Sequence, residues 1–286
     1  MYRKLKKPSK EELERLYLEQ RCSKQQIANT LGAHKQTVIA WTHEYGIGNI
    51  AKFERHGLPD SLTSVEEQVV VGALLGDGGV YSDSRHAHFK TAQCRAHHGY
   101  VRWLHNHLQQ WVAKSGIQFV TRDTTVGGRP YVQHIVRFET VRHPVFDAYR
   151  KMFYPEGVKV IPENIADFLT PLSLAVWYMD DGCLGHRIQL WTCGFSGEDH
   201  RRLQDALYYK FGLETRVGWD NRKDGRSYRY LSVNYSEWFR LCGDEVWKVA
   251  CMRRKLPKGY YPLGNSSQNS TPNPISDMGD DRVGGA

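Results

Sequence analysis

Two stretches of this chain are apolar on every side for about two turns and then end alike. Val70-Val71-Gly72-Ala73-Leu74-Leu75-Gly76 runs into Asp77-Gly78, and Leu174-Ala175-Val176-Trp177-Tyr178-Met179 runs into Asp180-Asp181-Gly182. A surface helix carries polar residues every three or four positions, whereas these carry none until their last turn, so both helices are predicted to be buried. The simplest partner for each is the other. Gly72 and Gly76 stand at i and i+4 on one helical face, where missing side chains let a second helix approach closely. Side by side, the two helices would bring Asp77 and Asp181 together at one end.

The pattern after each motif repeats as well. Behind Asp77 come an alternating segment (His86 to Gln93), a helix-like stretch (His97 to Lys114), Gly116 opening a strand, and a strand from Tyr131 to Phe138. Behind Asp181 come an alternating segment (Arg187 to Thr192), a helix-like stretch (Glu198 to Phe211), Gly212 opening a strand, and a strand from Tyr228 to Asn234. The turn residues Asn221 to Arg226 fit a hairpin loop before that last strand. Each unit reads α-β-β-α-β-β-α. Lys159 follows Asp77 by 82 residues and Lys255 follows Asp181 by 74, each just ahead of a proline. One tandem pair is too short for a solenoid, so the predicted fold is α+β, a pseudo-twofold pair of αββαββα units.

Bringing two carboxylates together is unfavourable unless something offsets their charge. At about 5 Å and an effective dielectric of ~20 they repel by roughly 3 kcal/mol, a large fraction of a domain's stability. A divalent cation removes that penalty, and hard oxygen ligands suit Mg²⁺, which keeps several waters and also takes phosphate oxygens. The plainer reading, an aspartate bonded to nearby backbone and a glycine ending a helix, fits one copy better than two.

At this point the residues resemble the LAGLIDADG homing endonucleases, in the single-chain, two-motif form typified by the yeast mitochondrial intron-encoded enzyme. The resemblance covers about residues 65 to 257 and is most specific at Ile161-Pro162-Glu163-Asn164, at Leu169 to Ala175 and at Trp177 to Gly182. It implies that Asp77 and Asp181 are metal-binding catalytic acids and that Lys159 and Lys255 are the basic residues beside them. It further implies that the backbone carbonyls of Gly76 and Asp180 are auxiliary metal ligands. Gln93 matches the polar residue of the strand after the first motif; in the second unit Cys193 stands there instead, a departure from the pattern. The implied activity is site-specific double-strand cleavage of DNA, one phosphodiester per strand, with Mg²⁺ or Mn²⁺ in its place, by a monomer. Water bound to the metal would attack in line, with the metals stabilising the incoming and leaving oxygens, and the lysines would act by electrostatics.

Charge agrees with a polyanionic partner without identifying one. The 286 residues carry 39 Lys+Arg against 31 Asp+Glu, a net +8,. Alternation is more informative. Arg187 and Gln189 alternate with Ile188 and Leu190; His86, His88 and Lys90 with Ala87 and Phe89; Tyr230, Ser232 and Asn234 with Leu231 and Val233. Such strands have one face in the core and one outward, and outward donors can read base edges in the major groove. Arg216, Arg222, Lys223, Arg226 and Arg229 are expected phosphate contacts, which position without specifying.

Residues 1–47 carry a different pattern. Ser9-x-x-Glu12 and Ser23-x-x-Gln26 open two helices as capping boxes,. A Gly-containing turn at Leu31-Gly32-Ala33 leads to a third helix through Thr37, Val38, Trp41 and Tyr45. This small all-α module resembles a helix-turn-helix, with His34, Lys35, Gln36 and Thr37 at the groove-facing start of its recognition helix. The expected division is a module over 1–47, a linker over 48–62, units over 63–162 and 163–263, and a disordered tail over 264–286.

Six cysteines form no C-x-x-C pair and read as reduced thiols of an intracellular protein,. Acidic residues follow the basic start directly and no membrane-length apolar run occurs, so neither secretion nor a membrane partner is expected. The compartment would be the cytoplasm or nucleoid of a prokaryote or phage-infected cell, or an organelle. His105-Asn106-His107 spells a nuclease motif but falls inside a helix-like apolar pattern. Two other functions remain open: a maturase for the RNA of its own intron, and a helix-turn-helix transcription regulator with an inactive core. Retention of both acids and both lysines favours the nuclease.

Overall fold

The computed structural model describes residues 7–20, 22–47, 57–83, 85–222 and 225–262. Lys223, residues 48–56 of the expected linker and the expected tail at 264–286 lie outside the described residues.

The N-terminal module has α1 (Lys10–Glu14), which continues as a π-helical turn, then α2 (Lys24–Leu31) and α3 (Lys35–Glu44). Ser23 and Gln26 cap α2 reciprocally, and the Ser9 hydroxyl accepts from the Glu12 N–H. The turn into α3 needs a left-handed residue, which Gly32 supplies at φ 63°,. Leu13, Tyr17, Ile27, Val38 and Trp41 close a core of the module's own.

The first repeat consists of α4 (Ser64–Leu75), β1 (Gly79–Tyr81), β2 (His88–Cys94), α5 (His98–His107), β3 (Gln118–Val126), β4 (Arg129–Glu139) and α6 (Val145–Phe153). A short helix α7 (Ile165–Phe168) leads into the second: α8 (Pro171–Asp181), β5 (Gly182–Leu184), β6 (Ile188–Trp191), α9 (Gly197–Phe211), β7 (Thr215–Asn221), β8 (Ser227–Val233) and α10 (Tyr235–Lys248). The sheets share one antiparallel topology, β1-β2-β4-β3 and β5-β6-β8-β7. The fold is thus α+β with the expected αββαββα order in each repeat.

Both buried helices pack on each other, because α4 and α8 carry the apolar surface that neither sheet covers alone. Val69 to Ala73 and Leu174 to Tyr178 are almost completely inaccessible within one continuous core. Their N-terminal ends are tied by capping boxes at Thr63 and Thr170 and by the Thr170 hydroxyl donating to Gln68 at 2.7 Å. One detail differs from expectation. Helix α8 runs through Asp181, but α4 stops at Leu75, since the Gly76 and Gly78 N–H groups both turn back to the Ala73 carbonyl, at 3.1 and 2.7 Å. His105 to His107 lie in α5 as packing and surface residues. Among the described residues no helix is long and apolar enough to cross a membrane.

Candidate active site and nucleic-acid face

Crossing of α4 and α8 sets the site. A Cβ on Gly76 would lie 2.5 Å from Asp180 Cβ, so only glycine lets the two motif ends close up. The Asp77 N–H then donates to Asp180 Oδ2 at 3.3 Å, and Gln93 Nε2 donates to Asp77 Oδ2 at 2.7 Å and to Asp180 Oδ1 at 3.1 Å. Gln93 therefore reaches Asp77 and Asp180 from β2. Asp180 contributes more than its carbonyl, because its side chain is drawn between the helices, beside Tyr100 of α5.

The lysines enter from the end of each repeat. Lys159 Nζ donates to the carbonyls of Gly76 at 2.8 Å and Gly78 at 3.0 Å. Lys255 Nζ lies within bonding distance of Tyr178 O (3.0 Å), Met179 O (2.7 Å), Asp180 O (3.3 Å) and Gly182 O (3.0 Å). Each ammonium thus satisfies carbonyls that the ends of α4 and α8 leave without an intrahelical partner. The Gly76 and Asp180 carbonyls expected as auxiliary metal ligands already each accept from a lysine. A carbonyl oxygen has a second lone pair, so this does not block a further cation.

Electrostatics describe a cluster short of positive charge. Burial, then the charges of Asp77 and Asp181, push the Asp180 carboxyl well above the usual range. Burial and the Asp77 charge push Asp181 up to about 7, against the opposing pull of Lys159 and Lys255. Burial lowers both lysines while the aspartates resist the shift. Among the described residues no three His, Cys, Asp or Glu side chains form a ready-made metal cage. The Asp77 and Asp181 carboxylates at the helix crossing are hard oxygen donors that suit a divalent cation completing its sphere with water and phosphate.

A stability effect follows for the metal-free protein. An unfolded aspartate ionises near ~3.9, whereas Asp181 keeps its proton to about 7. Its contribution is full below the unfolded value and is lost as pH rises toward the folded one, about 2 kcal/mol after discounting for solvent and coupling. In EDTA the melting temperature should fall between pH 5 and pH 8, and Asp181→Asn should melt above wild type at pH 8. Identical melts for the two proteins at pH 8 would refute the charge-cluster explanation.

Of the expected DNA contacts, one set falls on one face. Register places Gln189, Ser232 and Arg216 in a row across β6, β8 and β7, with Trp191, Tyr230 and Gly218 in the next row, opposite the buried Leu190, Leu231 and Val233. Arg187 precedes β6 on the Gln189 side, and Tyr230 packs on Trp191 at 5.5 Å between ring centroids. Lys90 lies on the outward face of β2 near the Tyr81 ring. In the first module Lys35 and Gln36 are exposed at the start of α3, Thr37 is half-buried, and His34 is itself the cap, its Nδ1 accepting from the Gln36 N–H.

Others are placed elsewhere. His86 lies ahead of β2 with Nδ1 2.7 Å from Asp147 Oδ2. His88 has the outward parity but is 4 % exposed, enclosed by Tyr81, Asp83 and Glu139. Asn234 lies past β8 as the cap of α10, its Oδ1 accepting from the Ser236 and Glu237 N–H groups. Arg229 takes the opposite strand parity and stacks on Trp219 at 4.8 Å, and Arg222 pairs with Asp220 at 2.7 Å. Arg226 stays exposed near the Tyr228 ring. The sequence located both strands of the β3–β4 hairpin but named no candidate contact on them. Arg137 and Gln118 sit side by side there, joined by a 3.0 Å hydrogen bond, with Gln133 opposite Arg122 on the same face. Their alternation with Val136 and Phe138 was the available signal.

Comparison with known proteins agrees with this arrangement. A DNA endonuclease I-ChuI of Chlamydomonas applanata is 28% identical over 215 residues, covering 70% of this chain and 97% of that protein. A cytochrome b mRNA maturase bI2 of Debaryomyces hansenii is 26% identical over 201 residues, 69% of this chain and 73% of its own length. Among solved structures, the homing endonuclease I-WcaI bound to its DNA recognition sequence superposes with a TM-score of 0.61 at 20% identity, covering 76% of this chain and 97% of that one, a likeness of fold. The sequence description of the LAGLIDADG DNA endonuclease family matches residues 67–239, which take in both buried helices and both sheets. This chain belongs to the LAGLIDADG DNA endonuclease family.

Proposed function

We propose that the chain is a site-specific endonuclease that hydrolyses one phosphodiester in each strand of a long duplex target, as a monomer, with Mg²⁺ or Mn²⁺. One observation carries this reading: Asp77 and Asp181 end two helices packed at glycine distance, with a lysine beside each end. The carboxylates of Asp77 and Asp181 and the carbonyls of Gly76 and Asp180 would hold the divalent ions, which supply charge neutralisation at the scissile phosphates and a more acidic water. Lys159 and Lys255 place fixed positive charge where negative charge grows during attack. Gln93 orients the Asp77 carboxylate. The outward rows Gln189–Ser232–Arg216 and Gln118–Arg137 present donors to base edges, and Lys90, Arg187, Arg222 and Arg226 add phosphate contacts. The N-terminal module, through Lys35 and Gln36, extends the contacted site as a helix-turn-helix.

Cleavage of a randomised duplex library with Mg²⁺ or EDTA, followed by sequencing of the ends, tests the reading. Discrete Mg²⁺-dependent cuts on both strands are expected, whereas specific retention of a structured RNA without any cutting would move the assignment to a maturase. The Debaryomyces relative's name is the reason that second reading is kept. If about eight phosphates are neutralised, log affinity should fall with log salt at a slope near −7. A slope near zero would rule out duplex DNA as the partner.

A further inference from the structure

The two repeats match in fold but not in what supports each acid. Asp77 and Asp181 are equivalent by motif, and the ladder pairs Gly79 with Lys90 and Cys183 with Gln189. Gln93 and Thr192 are therefore counterparts, as are Cys94 and Cys193, so the register corrects the expected match of Cys193 with Gln93 by one residue. Gln93 reaches two carboxylates. Thr192 instead is turned toward α9, its Oγ1 2.7 Å from His200 Nε2, while His200 Nδ1 lies 2.6 Å from the Ser196 carbonyl. Beside Asp181 this leaves a cavity of about 230 Å³ bounded by Lys159, Trp191, Cys193 and Phe195.

On the Asp77 side the chain of bonds continues outward. His97 Nδ1 is 3.2 Å from Gln93 Oε1, and Arg254 Nη2 is 2.8 Å from His97 Nε2. Donor and acceptor roles are forced. Gln93 spends its amide hydrogens on carboxylates, so its Oε1 must accept, and His97 must donate from Nδ1. His97 Nε2 then carries no proton and accepts from the guanidinium. The result is a row of donors that all point one way, from a cation at the end of the second repeat to Asp77 at 2.7 Å and, more weakly, to Asp180 at 3.1 Å. Aligned bonds of this kind polarise one another and fix a rotamer more firmly than one bond does.

We infer that His97 and Arg254 are positioning residues that hold the Gln93 amide against Asp77, and that the two strand-cleaving centres are unequal because, among the described residues, Thr192 gives Asp181 no matching support. This rests on the nuclease reading above. Neither side chain touches the acids; both act through Gln93. Losing the row should slow cleavage of one strand about ten- to a hundredfold, the usual effect of removing a group that orients a metal ligand, and leave the other strand nearly unchanged.

The test is strand-resolved cleavage of an end-labelled target at saturating protein, comparing wild type with Gln93→Ala, His97→Ala, Arg254→Met and Arg254→Lys. His97→Ala and Arg254→Met should slow the same strand as Gln93→Ala and accumulate nicked duplex, with melting temperature and DNA affinity held, and Arg254→Lys should restore most of the rate because lysine still donates. Equal slowing of both strands, or no slowing, overturns the inference while leaving the nuclease reading intact. Should wild type cut no duplex, the nuclease reading fails and the strand claim fails with it. A second measurement does not depend on cleavage: long-range proton–nitrogen correlation of the imidazoles in the full chain, with His97 identified by its loss in His97→Ala. A neutral ring protonated at Nδ1 is expected, and a ring protonated at Nε2 alone overturns the donor chain.

Discussion

Replacing either motif acid by its amide, Asp77→Asn or Asp181→Asn, is expected to abolish double-strand cleavage while specific binding survives. The change removes one negative charge and one ligand oxygen's basicity without altering size, so the helix crossing is kept. A drop of at least ~10³-fold in rate, about 4 kcal/mol of transition-state stabilisation, is the expected scale. Affinity should hold within a few fold in EDTA, because the charge removed repels phosphate. At pH 8 without metal the Asp181→Asn protein should also be the more stable one, since burial beside Asp77 already strains the native carboxylate. Activity and stability then move in opposite directions on one substitution, as expected of a site assembled for function at the expense of the fold. Rapid cleavage by both variants would remove Asp77 and Asp181 from the mechanism, and loss of binding together with cleavage would make them structural.

Much of this was legible because the informative signals were periodic or covalently constrained. The all-round apolar runs at Val70 to Leu75 and Leu174 to Met179 could only be buried helices, and the glycines at 72 and 76 showed where they touch. Strands such as β6 and β8 followed from strict alternation, and their register confirms the face shared by Gln189, Ser232 and Arg216. What stayed hidden depended on neighbours distant in sequence. His88 has the right parity to face outward, but the Asp83 and Glu139 side chains that enclose it come from a loop and from another strand. Asn234 reads equally well as the last outward residue of β8 or the first cap of α10, and the two N–H groups waiting at Ser236 and Glu237 decide the matter. The His97–Arg254 contact spans 157 residues, and no local pattern announces it. Arg254 is an unremarked neighbour of Lys255 until the fold swings it toward the other repeat.

The largest expected effect on stability comes from adding a single methyl group. At Gly72 a Cβ would lie 2.5 Å from the Ser173 carbonyl oxygen and 2.6 Å from Val176 Cβ, on the opposing helix, and the first of these is backbone that cannot swing aside. Gly72→Ala must therefore push α4 and α8 apart, opening gaps between side chains packed on both sides of the contact. Overpacking of this kind costs about 3 kcal/mol, or a fall of roughly 6–12 °C in melting temperature for a core of this size. Gly194→Ala is the matched control, because a Cβ there meets nothing within 4 Å; it should melt as wild type does. Separation of the helices also separates the acids at their ends, so cleavage by Gly72→Ala should fall even at temperatures where the protein remains folded. Unchanged melting would mean that α4 and α8 do not cross at glycine distance, and the site built on that crossing would then need a different frame.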